Sequence, residues 1–589
     1  MASYLTPMLR RAFVFLVTAA FSSGLAAQQI CPAGSPAGPV QAPVFVTNLT
    51  GQTSWFASPV VYDLDGNGSN ELVAAYYDVY VFGSDGSLLH RAQEGDGRVY
   101  APHVVADLDG DGTTEVVAGR GHDVWAWEWN GSALTVKNGW PADTTTGGNS
   151  PEIRGMASGD LDGNGTIEIV VTTTQTVPTS SGGAQVFVFD ADGNSYQPAG
   201  GHFPAWPRYN ALSGPGNDAD RNGPGHSGFG CYGLNAAVGN IDDDSHLEVI
   251  ATYDNHHIQV FDHDGVAIDA SDYYTNRSSP WVGNRLTWGQ FIRWADPAVE
   301  HNHYNLHTGT WPHPDWAEWL QWTASPPAVA DLDLDGRNEV IGIPNVEMHV
   351  PYVTQAYAVM VLEGAHGDGS RSARRKAGWE TLPRGGTPID VDGWYPPSGV
   401  PATTIVNIVG DDRPEIVVSL NDGYVYAFDS TGQRLWRTNT RHGLAIAFNS
   451  ETTVADLNQD GSPELLLATF GDPDVHSSGY LMILSAATGA VLRDVPLPNP
   501  GHNGNGNGAP AAPAVGDLDG DGQLEVFVQT FDHGLDVFTI PGSASNCVMW
   551  ATARGGPLRS GQALLRWREG IFMDGFETGS ATAWSNTVP

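Results

Sequence analysis

One nine-residue pattern of side-chain oxygens, repeated along the chain, limits the fold more than any other feature. Its copies are Asp63, Asp65, Asn67 and Glu71; Asp107, Asp109, Asp111 and Glu115; and Asp160, Asp162, Asn164 and Glu168. They continue with Asn240, Asp242, Asp244 and Glu248, where Ser245 replaces the usual glycine, and with Asp331, Asp333, Asp335 and Glu339. The last two are Asp456, Asn458, Asp460 and Glu464, then Asp517, Asp519, Asp521 and Glu525. A degenerate copy, Asn407, Val409, Asp411 and Glu415, stands between the fifth and these two. Oxygens at positions one, three, five and nine, with a glycine usual at six, bend a loop around one hard cation. Calcium takes about six to eight oxygens, so a backbone carbonyl at position seven and water complete its shell. Magnesium, which prefers a small octahedron and retains its waters, fits less well. The expected cofactor is therefore Ca2+, about seven ions, with the degenerate copy left metal-free. Asp-Gly-Asn runs also make ordinary turns; repetition at fixed internal spacing is what favours the metal.

The flanks of each loop decide the fold. Apolar, β-branched runs such as Ser58 to Tyr62 precede the loops, and runs such as Glu71 to Ala75 follow them, so each loop joins two strands. A calcium loop of the helix–loop–helix kind would carry its last acid at position twelve and have helical flanks. Next comes an alternating strand ending in a tight turn, as in Val79 to Gly86 or Val186 to Gly193, which is a hairpin signature. Each unit thus reads as four strands, and radial repetition of such units makes a β-propeller. The expectation is an all-β ring of eight four-stranded blades, a seven-bladed ring also being allowed. Uneven spacing places inserts at about 195–232, 266–325 and 364–400, and inserted loops are where individual function resides.

The D-x-D-G-[DN]-G-x-x-E loops and the following V-x-V-F-D-x-x-G strands resemble the FG-GAP/VCBS repeats of integrin α-subunit propellers and of many bacterial secreted proteins. The resemblance covers about residues 55 to 560. It implies a propeller, residues 55–565, holding calcium in loops between the first and second strands of its blades. It implies no single function, because members include adhesins, lectins and lyases. The segment Ile571 to Trp584, within a tail at 566–589, looks like a terminal segment of bacterial exported proteins and suggests an export or surface-retention signal.

Residues 1–27 read as a secretory signal: Arg10 and Arg11, an apolar run from Ala12 to Phe21, then small residues before the cleavage point. Residues 28–54 form a lead-in. No later segment reads as a membrane helix, so the mature chain is expected to be secreted or held at the cell surface, as a monomer. Three cysteines are too few for a disulfide scaffold. Cys31 precedes the first repeat and Cys547 lies in the last, so a closed ring would bring them together; Cys231 reads as a small buried apolar residue. The net charge of −39 sits in the metal loops rather than in a tail. Lys137 and Lys376 are the only lysines, which argues against nucleic acid as a partner. The cluster Arg371, Arg374, Arg375 and Lys376 reads as a solvated loop.

The 266–325 insert holds seven of the 19 tryptophans: Trp281, Trp288, Trp294, Trp311, Trp316, Trp319 and Trp322. Asp315 to Glu318 suggests a capped helix presenting Trp316, Trp319 and Leu320, and Leu286 to Trp294 a second helix. These tryptophans form either the insert's own core or an aromatic platform for sugar rings. His301, His303 and His307, with His313 beyond, would share a face of an extended strand and are either structural, metal-binding or acid–base groups. The preceding loop, His202 to Phe229, is rich in glycine, proline and asparagine, with Trp206 and His226. The function expected is an extracellular binding or adhesion module whose inserts meet a glycan or protein ligand. The alternative is a polysaccharide lyase or hydrolase with its site in 266–325; no catalytic residue is assigned.

Overall fold

In the computed structural model the chain is described throughout except at 1–29, 32–37, 52, 146–149, 175–185, 197–232, 254–257, 275–286, 291–292, 303–319, 321, 323–324, 345–357, 386–401, 421, 445–446, 472–478, 499–506, 532 and 564–589. The strands form eight antiparallel sheets, one per repeat, arranged as the blades of a propeller. Blade one is typical, with strands Val60–Tyr62, Glu71–Ala75, Val79–Phe82 and Leu88–Ala92 paired in chain order. Blades three, four and five show three strands each, and isolated bridges at Phe189–Ser195, Phe261–Ala267 and Leu362–Arg375 mark where the fourth begins.

First strands lie around the axis, where neighbouring blades crowd together. Their residues are correspondingly small: Ala236–Gly239 reads AAVG and Ala328–Ala330 reads AVA. A Cβ on Gly239 would come within 2.8 Å of the Val329 side chain in the next blade, so this position needs glycine. Second strands are buried along their whole length, as in Glu168–Thr173 and Glu248–Thr252. Apolar burial between blade faces is the main stabilising contribution.

Two features close the ring, and neither carries the repeat signature. The fourth strand of blade eight comes from the other end of the chain: Val44–Leu49 pairs antiparallel with Leu535–Ile540. Beside it Cys31 is disulfide-bonded to Cys547 with Cα atoms 5.9 Å apart, as the closed ring suggests. After that cysteine the chain enters the axis and winds past the blades in order. Carbonyls of Cys547 and Ala551 accept the N–H groups of Asp456 in blade seven and Val515 in blade eight. The Thr552 hydroxyl donates to Pro59 O of blade one at 2.7 Å. Then Pro557 O accepts from Val105 of blade two, and Leu558 O from the Ser158 hydroxyl of blade three. Ser560 O and Gly561 O accept from Val238 of blade four and Val329 of blade five. Residues 547–563 therefore plug the axis. Arg559, fully buried, donates to the carbonyls of Ser58, His103 and Ala553 at 2.8–2.9 Å. Buried Glu451 accepts the Trp550 indole N–H and the Arg554 backbone N–H.

Several local expectations are corrected. Leu286–Trp294 is not a helix where it is described: it contains a single 3-10 turn at Trp288–Gln290, and the α-helical turn comes later, at Pro297–Asn302. His301 therefore lies on a helix rather than a strand, its ring 3.9 Å from that of Tyr273. The basic cluster is not a solvated loop either. Arg375 pairs with buried Glu300, Lys376 with buried Glu339, and Arg371 with Glu363. Sequence reading misses the burial of Arg375 and Lys376 because Glu300 and Glu339 are distant in the chain, whereas Arg371 and Arg374 stay at least partly exposed. Cys231, the His202–Phe229 loop, the Asp315–Glu318 turn, His303, His307, His313 and the terminal signal and tail lie outside the described residues.

Candidate metal loops on one face of the ring

Four antiparallel strands per blade put the first-to-second and third-to-fourth turns at one end. The second-to-third turns and the blade-to-blade links lie at the other. All eight acidic loops join first and second strands, so all occupy one face, and four neighbouring pairs are linked. Asn70 donates to Asp517 O at 2.7 Å, Ile167 N to Leu108 O at 2.8 Å, Leu247 N to Leu161 O at 2.9 Å, and Asn338 to Asn240 O at 2.8 Å.

Six loops share one turn. The position-one aspartate accepts the position-six N–H at 2.8–3.0 Å: Asp63 from Gly68, Asp107 from Gly112, Asp160 from Gly165, Asp331 from Gly336, Asp456 from Gly461 and Asp517 from Gly522. Positions four and six both need positive φ, which the usual glycines supply without strain. At position four, Leu334 and Gln459 adopt it despite their side chains, with φ of 61° and 60°. Carboxylates of Asp63, Asp65 and Glu71 can converge on one ion, as can Asp107, Asp109 and Glu115, and Asp160, Asp162 and Glu168.

Position nine does something the sequence does not reveal. In all eight blades one oxygen of this glutamate accepts the N–H at position two, as Glu71 does from Leu64 and Glu525 from Leu518, both at 3.0 Å. Glu415 does the same for Ile408 at 2.7 Å in the degenerate sixth loop, so this clamp operates without a full acidic set. The second oxygen finds different partners. Lys137 Nζ bridges Glu115 Oε1 and Asp109 Oδ2, at 3.2 and 2.6 Å. Lys376 Nζ bridges Glu339 Oε1 and Asp333 Oδ2, both at 2.7 Å. The chain's two lysines are thus internal cations of loops two and five. In blade three the equivalent fourth-strand position is Tyr196, whose hydroxyl donates to Asp162 at 3.0 Å. Burial, and then the neighbouring aspartates, push Glu168 up to about 7 and Glu464 to about 8 against the Leu161 and Leu457 N–H bonds.

The fourth loop departs from this turn. Asn240 donates its amide to Asp244 O and His246 O instead of accepting, and neither Asp243 nor Ser245 has positive φ.

Of the insert's tryptophans, Trp288, Trp294 and Trp322 are described and all three are fully buried, Trp288 and Trp322 in a core with Tyr274 and Leu320. They are packing residues; the other four lie outside the described residues.

An eight-bladed all-β propeller with an acidic loop at one end of each blade is the class this architecture defines. Residues 107–171 match the FG-GAP-like repeat, and that match together with the eight-bladed ring supports an FG-GAP repeat β-propeller. No curated protein matches it. Among solved structures it is similar to the crystal structure of BBS1N in complex with ARL6DN, at 10% identity, 86% of this chain, 99% of that one and a TM-score of 0.40. BamB from Moraxella catarrhalis matches at 11% identity, 84% and 98% coverage and a TM-score of 0.40. The exotype rhamnogalacturonan lyase YesX matches at 15% identity, 89% and 81% coverage and a TM-score of 0.45. Likenesses this remote carry no argument about activity. Among the described residues no helix is long and apolar enough to cross a membrane.

Proposed function

We propose that this is an exported, calcium-holding propeller that serves as an extracellular binding module, with a glycan or protein as ligand. The observation that carries the reading is the division between its two faces. The acidic loops crowd one end of the ring. The connections around 197–232, 275–319, 345–357 and 386–401 are attached to strand ends at the other. With the axis plugged, a ligand meets that second face rather than a channel. Tyr77 stands there half exposed, edge-on to Tyr76 with centroids 4.3 Å apart, a pairing suited to a sugar ring or an apolar side chain.

Calcium fits the six loops that share the turn. Their carboxylates already face one another around polar backbone, and the position-nine glutamate holds the loop with one oxygen and, outside loops two and five, leaves the other for the ion. When bound, calcium supplies the positive charge that this cluster of acids lacks. Asp63, Asp65, Asn67 and Glu71, with their counterparts in the five other loops, would hold it. In loops two and five it would lie beside Lys137 and Lys376, so affinity there is expected to be weaker.

A polysaccharide and extracellular-protein panel, read for both binding and turnover, tests the proposal. Saturable binding without new reducing ends or unsaturated product, weakened by Tyr77→Ala, supports it. Turnover of a polysaccharide replaces it with the enzymatic reading.

A further inference from the structure

We propose that the fourth blade carries a site for a late first-row divalent ion such as zinc, built from Asp244, His246 and His263. It rests on the divergence of this loop from its neighbours and stands whether or not calcium fills the others. Two elements converge here. His246 occupies position seven of the loop between strands Ala236–Gly239 and Glu248–Thr252, and His263 lies in the hairpin after Ile258–Phe261, on the same face of the ring. Their rings stack with centroids 3.9 Å apart and planes 29° apart.

His246 Nδ1 is 3.1 Å from Asp244 Oδ2, and one ligand atom from each of the three residues lies within 4.8 Å of the others. Zinc–nitrogen and zinc–oxygen bonds of about 2.0–2.1 Å set tetrahedral ligand spacings of about 3.3 Å, and side-chain rotations that unstack the two rings would turn both nitrogens toward one ion. Water or Asp262, whose Oδ1 is 2.6 Å from His263 Nδ1, completes it.

The same residues fit calcium poorly. Calcium is a hard ion that takes oxygens, and two imidazoles are what zinc, copper and nickel prefer. Position one is an amide whose nitrogen points inward, and it donates to His246 O at 3.2 Å, the position-seven carbonyl that a calcium loop offers to its ion. The positive-φ turn that gathers the other loops is missing. Glu248 is fully buried and its Oε1 has no hydrogen-bond partner, so the floor of this loop retains an uncompensated acceptor. Both histidines are partly exposed, which leaves an entry path.

The test is zinc titration of the intact, chelator-treated protein in excess calcium, with cobalt as a spectroscopic probe. One zinc should bind in the micromolar range or tighter, and cobalt should give visible bands of tetrahedral intensity. His246→Ala and His263→Ala should each weaken this at least tenfold, while His90→Ala, in the fourth strand of blade one, should not. Both histidines are at the surface, so folding is expected to survive and is checked by circular dichroism. Zinc affinity and cobalt bands unchanged in both histidine variants would overturn the proposal, as would the absence of any zinc binding. A calcium-dependent melt that persists in those cases leaves the calcium reading standing by itself.

Discussion

The two faces of the ring solve the same problem in opposite ways. On the loop face each acidic loop spans nine positions and is fixed by its position-nine glutamate, and four neighbouring pairs of loops are joined by hydrogen bonds. On the opposite face connection length is free, and the chain's long insertions are attached there. A turn whose position-nine glutamate must reach back to the position-two N–H tolerates no extra residue. A link that merely carries the chain between strands tolerates many. The lesson is that the loop face is the part of this molecule built for rigidity and the insert face the part free to acquire a ligand.

The sharpest way to break that comparison is to remove the cation. Each loop at a hundredfold excess of calcium over its Kd contributes about 2.7 kcal/mol through linkage. Several loops acting together should exceed any single substitution, so thorough chelation should lower the melting temperature by ten degrees or more. A melt unchanged by chelation would dismiss calcium from the loops.

Next in size is the axis, which belongs to neither face. Arg559→Ala strips donors from three buried carbonyls and leaves a cavity, at a cost of about 4 kcal/mol. Because the plug is tied to blades on all sides, this loss should be the same with and without calcium. A calcium-dependent loss would tie the axis to the loop face.

Lys376→Met asks whether an internal cation and calcium are interchangeable. It leaves buried Glu339 without its ammonium, which costs about 3 kcal/mol in chelator. The cost should shrink in saturating calcium, read as melting temperatures in the two buffers. An equal loss in both would mean that lysine and metal act independently.

The smallest effect concerns a carboxylate at the insert-face end of the seam, away from any metal loop. Asp536 accepts the Asn48 amide at 2.7 Å, and burial pushes it from 3.8 up to about 6. A carboxyl with a raised folded pKa favours the fold while protonated. Its contribution is present below about pH 4 and is lost as the pH rises through about 6. Asp536→Asn should remove that decline, worth on the order of 2–3 kcal/mol, and calcium should not alter it. Wild-type and variant denaturation curves that stay parallel from about pH 4 to about pH 7 would refute this.

How much of this was legible beforehand differs from residue to residue. Asp63, Asp65, Asn67 and Glu71 announce a tight acidic loop because all four lie within one turn of chain, and Val79 to Gly86 announces a hairpin for the same reason. The Cys31–Cys547 bridge was readable from closure alone, since a ring must bring its ends together. By contrast, the double duty of Glu71 and its counterparts, the tying-back of Asn240 and the pairing of Lys137 with Glu115 depend on where a side chain points, and no spacing encodes that. The tryptophans of the insert show the same limit, because composition cannot say whether Trp288 and Trp294 face a ligand or a core.

By itself, then, the sequence determined the repeat and the strand order within a blade, and it narrowed the ring to eight or seven blades. All three follow from contacts between residues near in the chain, whose hydrophobic alternation and turn residues repeat. Only the tertiary structure decided that Val44–Leu49 completes the last blade, that residues 547–563 spiral through the axis, and that His246 meets His263. Those contacts join segments that are far apart or occur only once, and their energy comes from buried partners that leave no periodic trace in the chain.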